Sequence, residues 1–404
     1  MVLVRRLALR LRGLAPRSLS DEQRRGLVRR IDACWVVGDL FVGLDPLRAT
    51  ALHLQGLSLA LDVGDPYRLA RSLCTDAALA AQPGRSNRRT ALARLTFAER
   101  MCKQVGSPQL EGYLALSHGI IQLMMGEFDD AQHHLDHAES TFERCPGAYW
   151  EIGYARELAL WTLAHRGRLP ELAQRLTAAV ALSTARGDRV GAFKLLVGPS
   201  RVALLAHDEP HQLLDACPMD LLGLSPDEYS FLAFCALFGR VNALLYLGRA
   251  ADALATLDAA RWEIRAAHMM YCQSHRIELA YLRGRVALAR ASECQPAEHA
   301  PLVAMTRKCV RSLRRERVAW ADALATTLDA SLALLTASRE CAIAGLREGV
   351  GKLEAAGLGG FASAVRWQLQ HVLGQGAEGG APWGAAAVVR PDRLAHTLAP
   401  LPVY

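Results

Sequence analysis

The sequence predicts an all-α fold, a right-handed superhelical solenoid of antiparallel helix hairpins, on three observations. Glycines recur at steps of about 20 residues, at Gly64, Gly84, Gly106, Gly126, Gly147, Gly167 and Gly187, and glycine is the residue that most readily ends a helix. Between them run segments with apolar residues at helical spacing. Strand signals are nearly absent, with few alternating β-branched runs and no Asn-Gly or Asp-Gly hairpin turn. A two-helix unit near 40 residues cannot bury its apolar face alone and stacks on its neighbours, and a chain of 404 residues holds about eighteen such helices.

The elements follow in order. Residues 1–19, opening "MVLVRRLALRLRGLAP", read as an amphipathic surface helix, too broken by arginine to be a secretory signal. Residues 20–374 read as the helical array. Ser20-Asp21-Glu22-Gln23 is a capping box, and Asp45-Pro46, Asp65-Pro66, Ser107-Pro108 and Ser225-Pro226 each pair an N-cap with proline in the first turn. The pattern loosens near 208–228 ("HDEPHQLLDACPMDLLGLSPDE") and again near 292–301 ("SECQPAEHAP"). Residues 375–404 read as a Gly/Ala-rich linker and a short C-terminal helix from "RPDRLAHTLAP".

The stretch "GIIQLMMGEFDDAQHHLDHAE", residues 119–139, tests whether the chain carries metal chemistry or packing. Gly119, Gly126, Phe128, Ala131, Leu135 and Ala138 fall at the offsets of the tetratricopeptide pattern, which recurs more weakly at Gly167, Leu172, Leu176 and Ala179 and at Gly248, Ala253, Leu257 and Ala260. Small residues at these positions let paired helices approach to about 8–10 Å while a bulky one fills the groove. His133 and His137 share a helix face and could ligate a metal, but HExxH is missing and a third ligand would have to come from another helix. His268, Cys272 and His275 form a second stripe, read as core or groove lining. No metal and no cofactor is expected.

Composition narrows the function. The net charge is +7, nearly all of it arginine, since only Lys103, Lys194, Lys308 and Lys352 are lysines. Basic pairs such as Arg5/Arg6, Arg88/Arg89 and Arg314/Arg315 alternate with acids, and aromatics make up 6%, so a dense stripe for nucleic acid is missing. Ten cysteines lie scattered with no CxxC pair, which points to a reducing cytoplasm. No apolar stretch is long enough to span a membrane. "GAFKLLVGPS" lacks the Gly-Lys-Ser/Thr of a phosphate loop, and no kinase catalytic loop or nucleophile elbow occurs, so the chain is not expected to be an enzyme. Tyr154, Glu157 and Trp161 share one helix stripe and are the candidate partner-binding residues, with a hairpin core as the competing reading.

Several stretches carry a resemblance to a known family: "IDACWVVGDLFVGLDPLRATALHLQGLSLALDVGDPYRLARSL", "AYWEIGYARELALWTLAHRGRLPEL", "RERVAWADALATTLDASLALL" and "VVRPDRLAHTLAP". From about residue 20 to 400 the chain resembles the C-terminal helical-repeat region of very large bacterial serine/threonine protein kinases, which join a kinase domain, a central NTPase module and a tetratricopeptide-like tail. The kinase and NTPase signatures are absent here. The resemblance therefore implies a regulatory or scaffolding role through a protein or peptide partner, and it transfers no site residue. The alternative is a ligand-sensing repeat domain of the kind found in NTPase-linked transcription regulators, which an enclosed pocket with convergent polar groups would favour. A helical enzyme is the third reading.

Overall fold

Helix ends explain why the chain breaks where it does. The computed structural model describes residues 2–14, 21–42, 44–218, 230–261, 264, 269–374, 383 and 388–402. Asp45 accepts hydrogen bonds from the backbone N–H of Leu47 and Arg48 at 3.1 and 2.9 Å, and Asp65 from Arg68 at 2.9 Å. Both precede a proline in the first helical turn, where no N–H is needed. Each glycine from Gly64 to Gly187 in the 20-residue series has positive φ, between 67° and 84°. The Ser20 and Ser225-Pro226 caps and His268 lie outside the described residues.

Among the described residues the chain is all-helical, with twenty α-helices, no strand, and helices packed in neighbour pairs. Two helices more than the sequence reading come from short pieces where proline and glycine interrupt an apolar run. Backbone contacts gather the chain into two compact units, residues 1–125, 130–158 and 230–232 in the first, and 126–129, 159–229 and 233–404 in the second.

The first unit is built from α1 (Val2–Arg12), α2 (Asp21–Phe41), α3 (Pro46–Val63), α4 (Pro66–Ala81), α5 (Arg88–Val105), α6 (Pro108–Met125), most of α7 (Phe128–Glu143) and the start of α8 (Tyr149–Arg166). From α2 to α6 each helix packs on the next, α4 also packs on α6, and α1 packs on α3. Alanines make the seams close. Ala77, Ala80, Ala81 and Ala91 surround Leu95, Ile121 and Met125 in one core cluster. Between α6 and α7 the approach is closer still. A β-carbon at Gly119 would lie 2.6 Å from Leu135, and one at Gly112 2.6 Å from Phe142. Ala131, Leu135, Ala138 and Phe142 are fully buried.

The second unit contains the end of α8, then α9 (Leu169–Ala185), α10 (Arg189–Val197), α11 (Val202–Ala206), α12 (Pro210–Ala216), α13 (Phe231–Tyr246), α14 (Ala250–Ala259), α15 (Gln273–Glu293), α16 (His299–Arg315), α17 (Ala319–Thr336), α18 (Arg339–Ala355), α19 (Gly359–Val372) and α20 (Pro391–Leu398). From α14 onward each helix packs on the next, and α15 also packs on α17. The loosened stretch at 292–301 is a short 3-10 turn, Pro296–Glu298, closed by a capping box in which Gln295 and Glu298 satisfy each other's backbone. The terminal helix α20 packs against α19, α15 and α11. Tyr281 donates to the Leu398 carbonyl at 2.8 Å and Arg285 to the Thr397 carbonyl at 2.6 Å, so two side chains of α15 take up the last carbonyls of α20. No helix among the described residues is long and apolar enough to cross a membrane.

The α6–α7 contact gives a direct test. Ala131→Leu forces three extra carbons into a filled seam and is expected to destabilise by about 1–3 kcal/mol. Asp130→Leu, at an exposed neighbouring position, is expected to stay within about 0.5 kcal/mol. Urea denaturation of both variants checks this, and equal midpoints would show the helix register to be wrong.

Candidate functional site

Two groups of buried polar residues stand out, one in each unit, and cavity size separates them. In the first unit, Trp35, His53, Arg71, Tyr113 and Glu151 converge. The Arg71 guanidinium lies 4.3 Å from the centre of the Trp35 ring, Trp35 packs edge-on against both His53 and Tyr113, and the Tyr113 hydroxyl donates to Glu151. His53 Nε2 is 3.3 Å from Asp39 Oδ1. Burial and the neighbouring charge of Glu151 push the Asp39 carboxyl up to about 8. Burial, with the charge of Arg71, pushes His53 down to about 4. Near pH 7 the pair is therefore a protonated acid beside a neutral imidazole. The adjoining cavity is about 10 Å³, room for roughly one water.

The second unit holds a partly open cavity of about 70 Å³, enough for roughly five waters or a small molecule of the same bulk. Helix α15 supplies one polar wall. Glu278, Tyr281 and Arg285 lie at i, i+3 and i+7, so a single helix face delivers all three. Helix α8 brings His165, the 3-10 turn Pro199–Arg201 brings Arg201, and α13 brings Asn242. Leu169, Val202, Leu205, Phe238, Leu324 and Phe361 form the apolar remainder.

Each polar group has a definable state. His165 stacks on Phe128 with ring centres 4.8 Å apart, its Nδ1 lies 2.7 Å from the Trp161 carbonyl, and its Nε2 faces Glu278 at 3.4 Å. Both ring nitrogens are thus engaged. Burial pushes the Glu278 carboxyl up, but the hydrogen bond from His165 and the charges of His165, His275 and Arg201 outweigh it and hold it below its ordinary value. Burial lowers Arg285 to about 10, still charged at neutral pH. Arg285 donates to Asn242 Oδ1 at 3.0 Å as well as to Thr397, while its Nε–H finds no acceptor among the described residues. Trp320 and Trp383 also line the cavity, but their indole N–H groups, which likewise lack an acceptor among the described residues, are shut off from open space. Arg201 is half-buried, and desolvation lowers its pKa. It lies 5.4 Å from the centre of the Phe238 ring and donates to the Val197 carbonyl at 3.5 Å.

The residues singled out from sequence fall elsewhere. Glu157 and Trp161 are buried and Tyr154 is half-buried, its ring against Trp150, so the stripe does not stand out to solvent as a set of anchors. The histidines of α7 diverge. His137 reaches Glu111 at 3.1 Å, while His134 faces the Asp130 carbonyl at 3.0 Å and stacks on His118. His133 meets His134 edge-on. Among the described residues no three His, Cys, Asp or Glu side chains are grouped to hold a metal ion. Cys272 and His275 are buried beside Ser274 and Phe234, as lining rather than as a pair of ligands. Sequence reasoning missed Glu278, Tyr281, Arg285 and Arg201. The available signal was three polar residues on the apolar face of "RIELAYLRGRVALA". No protein-family model and no curated protein matches the chain.

The Asp39–His53 pair sets a pH dependence. From about pH 4 to 6.5, unfolding releases the proton on Asp39 and adds one to His53, and the two effects offset. From about pH 6.5 to 8 only Asp39 differs: the folded chain holds a proton that the unfolded chain has lost. Stability is expected to fall as pH rises across that window, by up to about 2 kcal/mol, and Asp39→Asn is expected to remove the fall. Urea midpoints at pH 6.5 and 8 for both proteins decide it, and an unchanged decline in Asp39→Asn would point to another group.

Proposed function

We propose that this chain is a non-catalytic, tetratricopeptide-like helical-repeat module that works by binding, and that its second unit holds a small ligand in the cavity lined by α8, α13 and α15. The observation that carries this is the cavity itself: polar groups from several helices and apolar walls converge on one partly open space, as they do in small-molecule sites. The ligand-sensing reading is thereby favoured over a peptide laid along the Tyr154, Glu157 and Trp161 stripe, which is mostly buried. A binding role is favoured over catalysis because the His165 ring nitrogens both face partners within the fold, leaving no free nitrogen to exchange a proton with a substrate. The resemblance to the tails of large kinases supports a setting in kinase- and NTPase-linked signalling, where occupancy of the cavity would be passed to a protein partner.

The test is a panel of small molecules followed by thermal denaturation, with the parent chain beside Val202→Phe, a variant that fills the cavity. At least one compound is expected to raise the melting temperature of the parent and to leave that of Val202→Phe unchanged. Compounds that shift both proteins equally, or none at millimolar concentration, would contradict a binding role for the cavity.

A further inference from the structure

Arg201 lines the cavity without an ion-pair partner among the described residues. The carboxylate nearest to serving it, Glu278, is drawn to His165 at 3.4 Å, and no carboxylate lies within ion-pair distance of the Arg201 guanidinium among the described residues. Its one hydrogen bond, to the Val197 carbonyl, is long at 3.5 Å. The cavity wall thus presents two guanidinium groups, Arg201 and Arg285, against one carboxylate, Glu278. Arg285 is served by Asn242 and by the negative end of the α20 dipole. Arg201 has neither. A partly desolvated guanidinium without an ion-pair partner is poorly served, and an oxyanion matches its planar fork better than any other partner.

The remaining walls set the shape of that anion. Phe238, Leu205 and Phe361 offer nothing to a second charge, so an ion carrying polar atoms on every side would leave some of them unpaired. The volume, about 70 Å³, suits a ligand of roughly half a dozen non-hydrogen atoms. We propose that the cavity binds a short-chain carboxylate, its oxyanion head paired with Arg201 and its apolar body lying against Phe238, Leu205 and Phe361. This rests on the reading of the cavity as a ligand site, and it names the ligand class.

Calorimetric titration at constant ionic strength tests it with four probes: butyrate, the isosteric neutral butyramide, n-butylamine and inorganic phosphate. The proteins are the parent chain, Arg201→Met and Val202→Phe. Butyrate is expected to bind the parent chain, at least about tenfold more tightly than butyramide and than it binds Arg201→Met, since a hydrogen bond to a charged group is lost in each case. Arg201→Met replaces a half-buried charge that has no ion-pair partner by an apolar chain of similar length, so its melting temperature without ligand is expected to equal or exceed that of the parent. Equal butyrate binding by the parent and Arg201→Met overturns the assignment. So does phosphate binding without butyrate binding. Butyramide or butylamine binding that matches butyrate and is lost in Val202→Phe would leave the cavity as a ligand site but overturn its anion selectivity. No probe distinguishing the parent from Val202→Phe would overturn both.

Discussion

The second unit depends on one backbone crossing. The turn that ends α8 at Gly167 runs directly against Gly359 and Gly360, at the start of α19. A β-carbon at Gly359 would lie 2.3 Å from the Arg166 carbonyl, and one at Gly167, where φ is +72°, would lie 2.3 Å from the Gly360 amide. Only glycine allows two chains to pass this closely, and at Gly167 only glycine adopts the turn without strain. The crossing brings the last turn of α8, with His165, beside the first turn of α19, with Phe361. Both residues are cavity walls. The closeness of the packing and the shape of the site therefore have the same cause.

Charge has been placed at opposite costs in the two units. In the first, burial is relieved by neutralisation: Asp39 holds a proton and His53 does not. The cavity beside them is about 10 Å³, and the polar groups there serve to orient Trp35, Arg71 and Tyr113 around one another. In the second, arginine cannot neutralise itself at working pH: Arg285 is held by Asn242 and the Thr397 carbonyl near the end of α20, and Arg201 lines the cavity. The terminal helix, which buries Leu394 and Ala395 in the core, also helps to hold the site, because its last turn supplies acceptors for Tyr281 and Arg285.

What could be read from the sequence was local. Asp45 before Pro46, the glycine series with positive φ, and the small residue Gly119 facing Ala131 and Leu135 of α7 each depend on a few neighbouring residues, and each is found in place. The cavity depends on residues far apart in the chain: His165, Arg201, Arg285 and Trp320 come together only because helices from four parts of the second unit converge. Periodicity finds the face of a helix but not what covers it. That is why the face carrying Tyr154, Glu157 and Trp161 could be read as anchors, whereas Glu157 and Trp161 are buried. The same limit hid Glu278, Tyr281 and Arg285, three polar residues on an otherwise apolar face.

The backbone crossing can be tested without any ligand. Thermal denaturation of Gly359→Ala should be compared with that of Gly351→Ala, whose β-carbon would meet nothing within 4 Å on α18. Alanine in an open helical site removes the flexibility of glycine and stabilises by roughly 0.5–1 kcal/mol, so Gly351→Ala is expected to melt at or above the parent. Gly359→Ala must push the backbone of α8 away and is expected to melt clearly below it. Two variants that shift together, in either direction, would show that the α8–α19 crossing does not hold the second unit together.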